Sequence, residues 1–121
     1  MAMNKLIAEV SELIEREYGR AGAKFGLTNH SDHESYAVLL EEFEEAKFEA
    51  ESFERCLNEF WYHVKGDFGL DDKFASCQRM EKRALLCACE MIQVAAMAKK
   101  AALTVCDRGA TEELKEGGWS E

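Results

Sequence analysis

Apolar side chains recur at helical spacing in three long stretches of the chain, residues 4–20, 34–64 and 73–105. In each stretch they return every three or four positions, the period that places them on one face of an α-helix. The first stretch carries them at Leu6, Ile7, Val10, Leu13, Ile14 and Tyr18. The pattern predicts three helices, the first of which frays over residues 21–25, where glycines thin the apolar positions.

The second predicted helix begins at a capping box and continues to about Val64. Ser31 can accept a hydrogen bond from the amide of Glu34, and the Glu34 side chain can reach back over the helix start. The predicted core face consists of Leu39, Phe43, Ala46, Ala50, Phe53, Leu57, Phe60, Trp61 and Val64. Along one edge of this face, the helical wheel places Glu42, Glu45 and Glu49 in a narrow carboxylate stripe.

The third predicted helix follows a glycine-containing turn at residues 65–70 and is capped by Asp71 or Asp72. Between residues 84 and 98, its only polar side chains other than cysteines are Glu90 and Gln93. A helix that is apolar nearly all round needs cover on several sides. We therefore expect an antiparallel long-helix bundle completed by oligomerisation, as a homodimer or homotetramer.

Residues 106–109 are expected to end the third helix. The sequence then predicts one helical domain over residues 1–105 and a C-terminal tail over 106–121 that is a short helix or disordered. The composition agrees with an all-α fold, because the 121 residues include no proline and many strong helix formers.

Charge and cysteine usage narrow the function classes. A net charge of −9 without a basic stripe argues against nucleic-acid binding. The sequence contains neither a signal-peptide pattern nor an apolar run long enough to span a membrane, so we expect a cytoplasmic protein without membrane contact. The five cysteines lack zinc spacing and are interpreted as reduced thiols, mostly in the core.

Glu90 is the strongest single clue to chemistry, because a carboxylate in an apolar helix needs a counter-charge, a metal or a raised pKa. One interpretation is an ion pair with Arg83 or a lysine, or a partly exposed edge position. The other is metal ligation together with Glu42 and Glu45, with Gln93 supplying a further oxygen. Oxygen ligands of this kind select Mg²⁺ or Mn²⁺.

The segment from His33 to Glu45 contains Glu-Glu-Phe-Glu-Glu, and a later segment begins at Glu90. Together they resemble the MazG-like branch of the all-α nucleotide pyrophosphohydrolases, in particular the variant found in phages and prophages. Members of that family carry EExxE and ExxD motifs that hold Mg²⁺. They hydrolyse nucleoside triphosphates to monophosphate and pyrophosphate. The likeness covers residues 30–105 and leaves the first helix outside any motif.

The resemblance implies roles for individual residues. Glu41, Glu42 and Glu45 match the first motif, and Glu90 matches the start of the second, whereas Gln93 stands where the family has aspartate. Glu42, Glu45 and Glu90 would then hold the metal. Glu41 or Glu45 would orient the attacking water.

Two lysines and two histidines are further candidates for substrate contact. Lys99 and Lys100 follow Glu90 on the same predicted helix, although lysines near a helix end also favour the helix dipole. His33 or His30 lies where a base or phosphate would approach the second helix. The alternative function is a non-catalytic helical oligomer, a phage or prophage accessory protein whose metal site has degenerated at Gln93.

Overall fold

The computed structural model describes residues 2–112, and the side chains of residues 2–107. It contains three helices: α1 Ala2–Phe25, α2 Asp32–Lys65 and α3 Leu70–Glu112. No strand occurs in the described part of the chain, so the predicted all-α class is confirmed. Of the helices within residues 2–112, none combines the length and the apolar character needed to cross a membrane.

Helix α1 ends at Phe25, within the range 21–25 predicted for its end. Gly26 ends it in a left-handed conformation, with φ of 95°, and its amide donates to the carbonyl of Gly22 at 2.8 Å. The chain then turns back, and the Tyr18 hydroxyl donates to the Leu27 carbonyl at 2.8 Å. This glycine cap and the return contact hold the last turns of α1 helical.

The predicted start of α2 is confirmed. The Glu34 amide donates to Ser31 Oγ at 3.1 Å, as a capping box requires. The Glu34 carboxylate accepts from the amide of His30 at 2.6 Å, one residue earlier than in the standard box. Asn29 makes two hydrogen bonds. Its backbone N–H donates to Thr104 Oγ1, and its side-chain Nδ2 donates to Ser35 Oγ.

The turn from α2 to α3 differs from the predicted cap. Helix α3 begins at Leu70, and the Lys73 amide donates to the Gly69 carbonyl at 3.3 Å, so Gly69 occupies the capping position. Asp71 and Asp72 lie inside the first turn, and their assignment as caps is wrong. Acidic side chains are favourable there because they face the positive end of the helix dipole.

Asp67 occupies the left-handed region with φ of 52°, at the point where the Phe68 amide donates to the His63 carbonyl. A side chain costs energy in this conformation, whereas glycine does not. We expect Asp67→Gly to raise the free energy of unfolding by about 0.5–1 kcal/mol. Urea denaturation measures this change, and a loss of stability in Asp67→Gly would contradict the assigned conformation.

Helix α3 does not end at residues 106–109 as predicted but extends to Glu112. A single glycine in a helix costs only about 1 kcal/mol relative to alanine, and no proline follows to stop the chain. The remainder of the predicted tail, residues 113–121, lies outside the described residues. Because α3 continues beyond them, Lys99 and Lys100 do not lie in a last turn, where the helix dipole would explain them.

The chain forms two compact units. The first joins the described parts of Met1–Glu42 and Ile92–Glu121, and the second is Phe43–Met91. Among apolar side chains, the first unit buries Tyr18 and Ala96 and the second buries Ala46. The predicted core face of α2 is covered only in part, since Phe43, Leu57 and Trp61 remain 46–57% exposed.

The cysteines also lie nearer the surface than expected. All five are free thiols, as predicted. Cys56 and Cys87 are half-buried, whereas Cys77, Cys89 and Cys106 are exposed, so the expectation that most belong to the core is wrong. The apolar stretch of α3 is partly exposed as well, with Leu85 58% and Met91 45% accessible.

Candidate functional site

Two carboxylates meet in the second unit. Glu45 lies on α2 and Glu90 on α3, and one carboxylate oxygen of each lies within 4.8 Å of the other. Glu90 is half-buried and Glu45 is exposed. Glu42, the last residue of the first unit in this part of the chain, lies one turn before Glu45 along α2. The predicted spacing along α2 therefore directs both acids to one edge of that helix.

The electrostatics of this pair favour a cation. Burial raises the pKa of Glu90, and the charge of Glu45, a hydrogen bond with Glu45 and the charge of Glu49 raise it further. A bound divalent ion would relieve the repulsion between the acids.

No arginine or lysine in the described ion pairs of this unit neutralises the two acids. Those pairs are Lys73 with Asp67, Arg79 with Glu59 and Arg83 with Glu49. Arg83, the partner proposed for Glu90 in the ion-pair interpretation, donates to Glu49 at 3.2 Å instead. That interpretation is wrong for Arg83.

The oxygen separation fits a small divalent ion. Mg²⁺ binds oxygen at about 2.1 Å, so two of its ligands lie no more than about 4.2 Å apart. The observed limit of 4.8 Å between Glu45 and Glu90 requires at most a small side-chain adjustment. Carboxylate oxygens are also the ligand type that Mg²⁺ and Mn²⁺ prefer.

A cavity of about 560 Å³ lies within the first unit. Four predicted site residues line it: Glu41, Glu42, Gln93 and Lys100. The other lining residues are Glu17, Arg20, Ala21, Lys24, Phe25, Thr28, Asn29, His30, Glu34, Val38 and Met97. The cavity therefore combines acidic, basic and apolar surface, a mixture suited to a ligand with more than one kind of group.

Lys100 is the most deeply buried charged side chain of this cavity, with 7% of its surface exposed. The described ion pairs of the first unit join Arg20 to Glu17 and Lys99 to Glu15, and neither includes Lys100. An ammonium group at the wall of a cavity can bind an anion that enters the cavity. The cavity that Lys100 lines is the place where such an anion would bind.

Gln93 contacts Glu17 of α1. Hydrogen bonds from the Arg20 guanidinium and from the Gln93 side chain lower the pKa of Glu17. Gln93 thus forms part of the cavity wall in the first unit. Its predicted role as a metal ligand stays a prediction.

Two of the predicted substrate contacts lie away from this cavity. Lys99 forms an ion pair with Glu15 at 2.9 Å, and its ammonium group lies 5.5 Å from the centre of the Tyr18 ring. His33 is exposed at the start of α2 and does not line the cavity, whereas His30 does. Of the adjacent lysines, only Lys100 reaches the cavity.

Sequence reasoning missed the contribution of α1 to this site. Arg20 and Lys24 are one turn apart on α1 and both line the cavity, as does Phe25 at the helix end. The one available signal was the pair of basic residues at i and i+4 next to the glycines that close α1. In comparisons with known proteins, no family model, no curated protein and no solved structure matches the chain.

Proposed function

We propose that this protein is a Mg²⁺-dependent hydrolase that cleaves nucleoside triphosphates to monophosphate and pyrophosphate. Mn²⁺ can replace Mg²⁺ in this proposal. The observation that carries the proposal is the pair formed by Glu45 and Glu90. Their oxygens approach within 4.8 Å, and the described ion pairs of their unit give neither a basic partner. The resemblance to the MazG-like pyrophosphohydrolases supports the same reaction.

In this proposal some glutamates bind the metal and others activate the attacking water. Glu45 and Glu90, with Glu42 one turn earlier on α2, hold the divalent ion. A bound Mg²⁺ ion supplies charge neutralisation at the phosphates and lowers the pKa of a water ligand. Glu41, or Glu45 with a free oxygen, accepts a proton from the attacking water and orients it.

Within the first unit, the cavity offers contacts for a phosphorylated ligand. Lys100 and Arg20 are positioned on its wall to bind phosphate oxygens, since charge-assisted hydrogen bonds to phosphate are strong. Phe25 and Met97 offer apolar surface against which a base can pack. Of the two histidines that the sequence offers for substrate contact, His30 lies on the same wall.

Replacing Lys100 by glutamine is expected to raise KM for the triphosphate about tenfold, because a charged hydrogen-bond partner of the phosphates is lost. Lys99→Gln is the matched control. Lys99 is the preceding residue, and it forms an ion pair with Glu15 outside the cavity. Initial-rate kinetics on both variants measure the difference. Equal effects of the two substitutions would argue against a substrate site in this cavity.

We also propose that the active form is a homodimer or homotetramer in the cytoplasm. Large apolar side chains remain exposed on all three helices, among them Leu6 and Ile7 on α1, Trp61 on α2 and Leu85 on α3. Exposed apolar surface of this extent favours association with further copies of the chain. Sedimentation equilibrium of the full chain gives its mass in solution, and a monomer would contradict this part of the proposal.

A second candidate function, the non-catalytic helical oligomer, is favoured by Gln93. This neutral amide hydrogen-bonds Glu17 at the position where the resembling family has a metal-binding aspartate. If the site has lost its chemistry, the exposed apolar faces would serve assembly alone. The two functions differ in whether a divalent ion binds and whether a triphosphate is cleaved.

The test is pyrophosphate release from a panel of ribo- and deoxyribonucleoside triphosphates, with Mg²⁺, with Mn²⁺ and without metal. We expect metal-dependent formation of monophosphate and pyrophosphate in equal amounts from at least one member of the panel. Absence of hydrolysis across the panel with both metals would overturn the proposal and favour the non-catalytic oligomer.

A further inference from the structure

Three arginines line one shallow depression within the second unit. Arg55 comes from α2, and Arg79 and Arg83 come from α3. The depression has a volume of about 210 Å³, and its other lining residues are Ser52, Cys56 and Glu59. A cluster of three guanidinium groups is unexpected in a chain with a net charge of −9.

Positive charge is in excess at this depression. Arg79 pairs with Glu59 and Arg83 with Glu49, whereas Arg55 takes part in none of the described ion pairs of this unit. The Arg55 guanidinium donates to Ser52 Oγ at 2.9 Å, and Ser52 is a buried residue with 6% of its surface exposed. This contact holds Arg55 in place without neutralising it.

Most donors of the three arginines are available to a ligand. Each guanidinium carries five N–H groups. Arg55 uses one nitrogen on Ser52, Arg83 donates to Glu49, and one Arg79 nitrogen contacts Glu59 and Ser76. The side chains of Arg79 and Glu59 are 47% and 45% exposed, and ion pairs this open to water are weak. Glu59 therefore competes poorly with a multivalent anion for the Arg79 guanidinium.

The shape and donor set select the ligand class. Arginine forks match the spacing of phosphate oxygens and bind them in pairs. A volume of about 210 Å³ is below the range of pockets that enclose drug-sized molecules, so it suits a small oxyanion or one group of a larger molecule. We infer that Arg55, Arg79 and Arg83 form an oxyanion site that takes a phosphate or pyrophosphate group.

This arginine site does not depend on the proposed hydrolysis or on a metal. The group it binds comes either from free phosphate or pyrophosphate or from the terminal phosphate of a nucleotide. The two sources share the same oxygens and differ in whether a nucleoside lies next to them. Binding in metal-free buffer separates the arginine site from the carboxylates of Glu45 and Glu90.

The test is calorimetric titration of the full chain with phosphate, pyrophosphate and a nucleoside monophosphate in metal-free buffer of low ionic strength. We expect saturable binding of pyrophosphate that weakens with added salt. Arg55→Gln is expected to weaken it at least tenfold, because a charged donor is removed. Arg16→Gln is the matched control, since it makes the same change at an exposed arginine of α1 and should leave binding unchanged.

A second variant, Arg55→Lys, retains the positive charge but loses the paired N–H donors of the guanidinium group. It is expected to bind pyrophosphate more weakly than wild type and more tightly than Arg55→Gln. Tighter binding of the monophosphate than of phosphate would assign the site to a nucleotide, and the reverse order would assign it to the free anion. Absence of binding at millimolar pyrophosphate, or equal losses in Arg55→Gln and Arg16→Gln, would overturn the inference.

Discussion

Glu45→Gln is expected to lower kcat for triphosphate hydrolysis on the order of 1000-fold while leaving the fold intact. The substitution preserves the size of the side chain but removes the charge that faces Glu90 across the two helices. A factor of 1000 corresponds to about 4 kcal/mol of transition-state stabilisation, which is reasonable for loss of an anionic ligand of a catalytic metal. The measurement is steady-state pyrophosphate release at saturating Mg²⁺.

Glu44→Gln is the matched control for this prediction. Glu44 is the preceding residue on α2 and is exposed, and it does not belong to the group of acids around Glu45. It makes the same change in net charge, so its activity should stay within about twofold of wild type. Full activity in Glu45→Gln, with circular dichroism unchanged, would remove Glu45 from the catalytic machinery.

Glu90→Gln is expected to have opposite effects with and without metal. Burial and the charge of Glu45 raise the pKa of Glu90 in the folded chain. An acid with a raised folded-state pKa destabilises the fold when it is ionised, so the metal-free variant should melt at a higher temperature than wild type at neutral pH. With millimolar Mg²⁺ the wild type should gain stability and the variant should gain little.

The pH dependence fixes the sign of this effect. The penalty from Glu90 is fully present above its raised pKa and disappears as the pH falls through that value toward its ordinary value of 4.5. The difference in Tm between metal-free Glu90→Gln and wild type should therefore shrink on acidification. A variant that melts lower than wild type at neutral pH, or that responds equally to Mg²⁺, would contradict the arrangement described for Glu90.

The sequence was sufficient to predict the three helices, because long amphipathic periods and a capping box at Ser31 leave few alternatives. The predicted end of α3 at residues 106–109 is wrong, because the single glycine in that segment costs a helix too little to end it. The sequence also assigned the cap of α3 to Asp71 or Asp72, although Gly69 fills that position. Helix ends depend on contacts and backbone angles that periodicity does not encode.

For the site, the sequence placed Glu42 and Glu45 on one edge of α2 and drew attention to Glu90. Those positions follow from helix geometry and from the cost of an acid in an apolar stretch. It did not predict that Lys100 would be buried while Lys99 pairs with Glu15, since adjacent residues of a helix face different neighbours. Arg20 and Lys24 were missed because contacts of α1 with the rest of the first unit are tertiary.

The measurement that tests the central claim most directly is titration of the full chain with Mn²⁺, followed by electron paramagnetic resonance of the free ion. We predict saturable binding by the wild type that Mg²⁺ displaces. Glu90→Gln should weaken it at least tenfold, and the exposed-site control Glu44→Gln should bind as the wild type does. Binding that is equal in all three proteins, or absent in the wild type, would contradict a divalent metal site at Glu45 and Glu90.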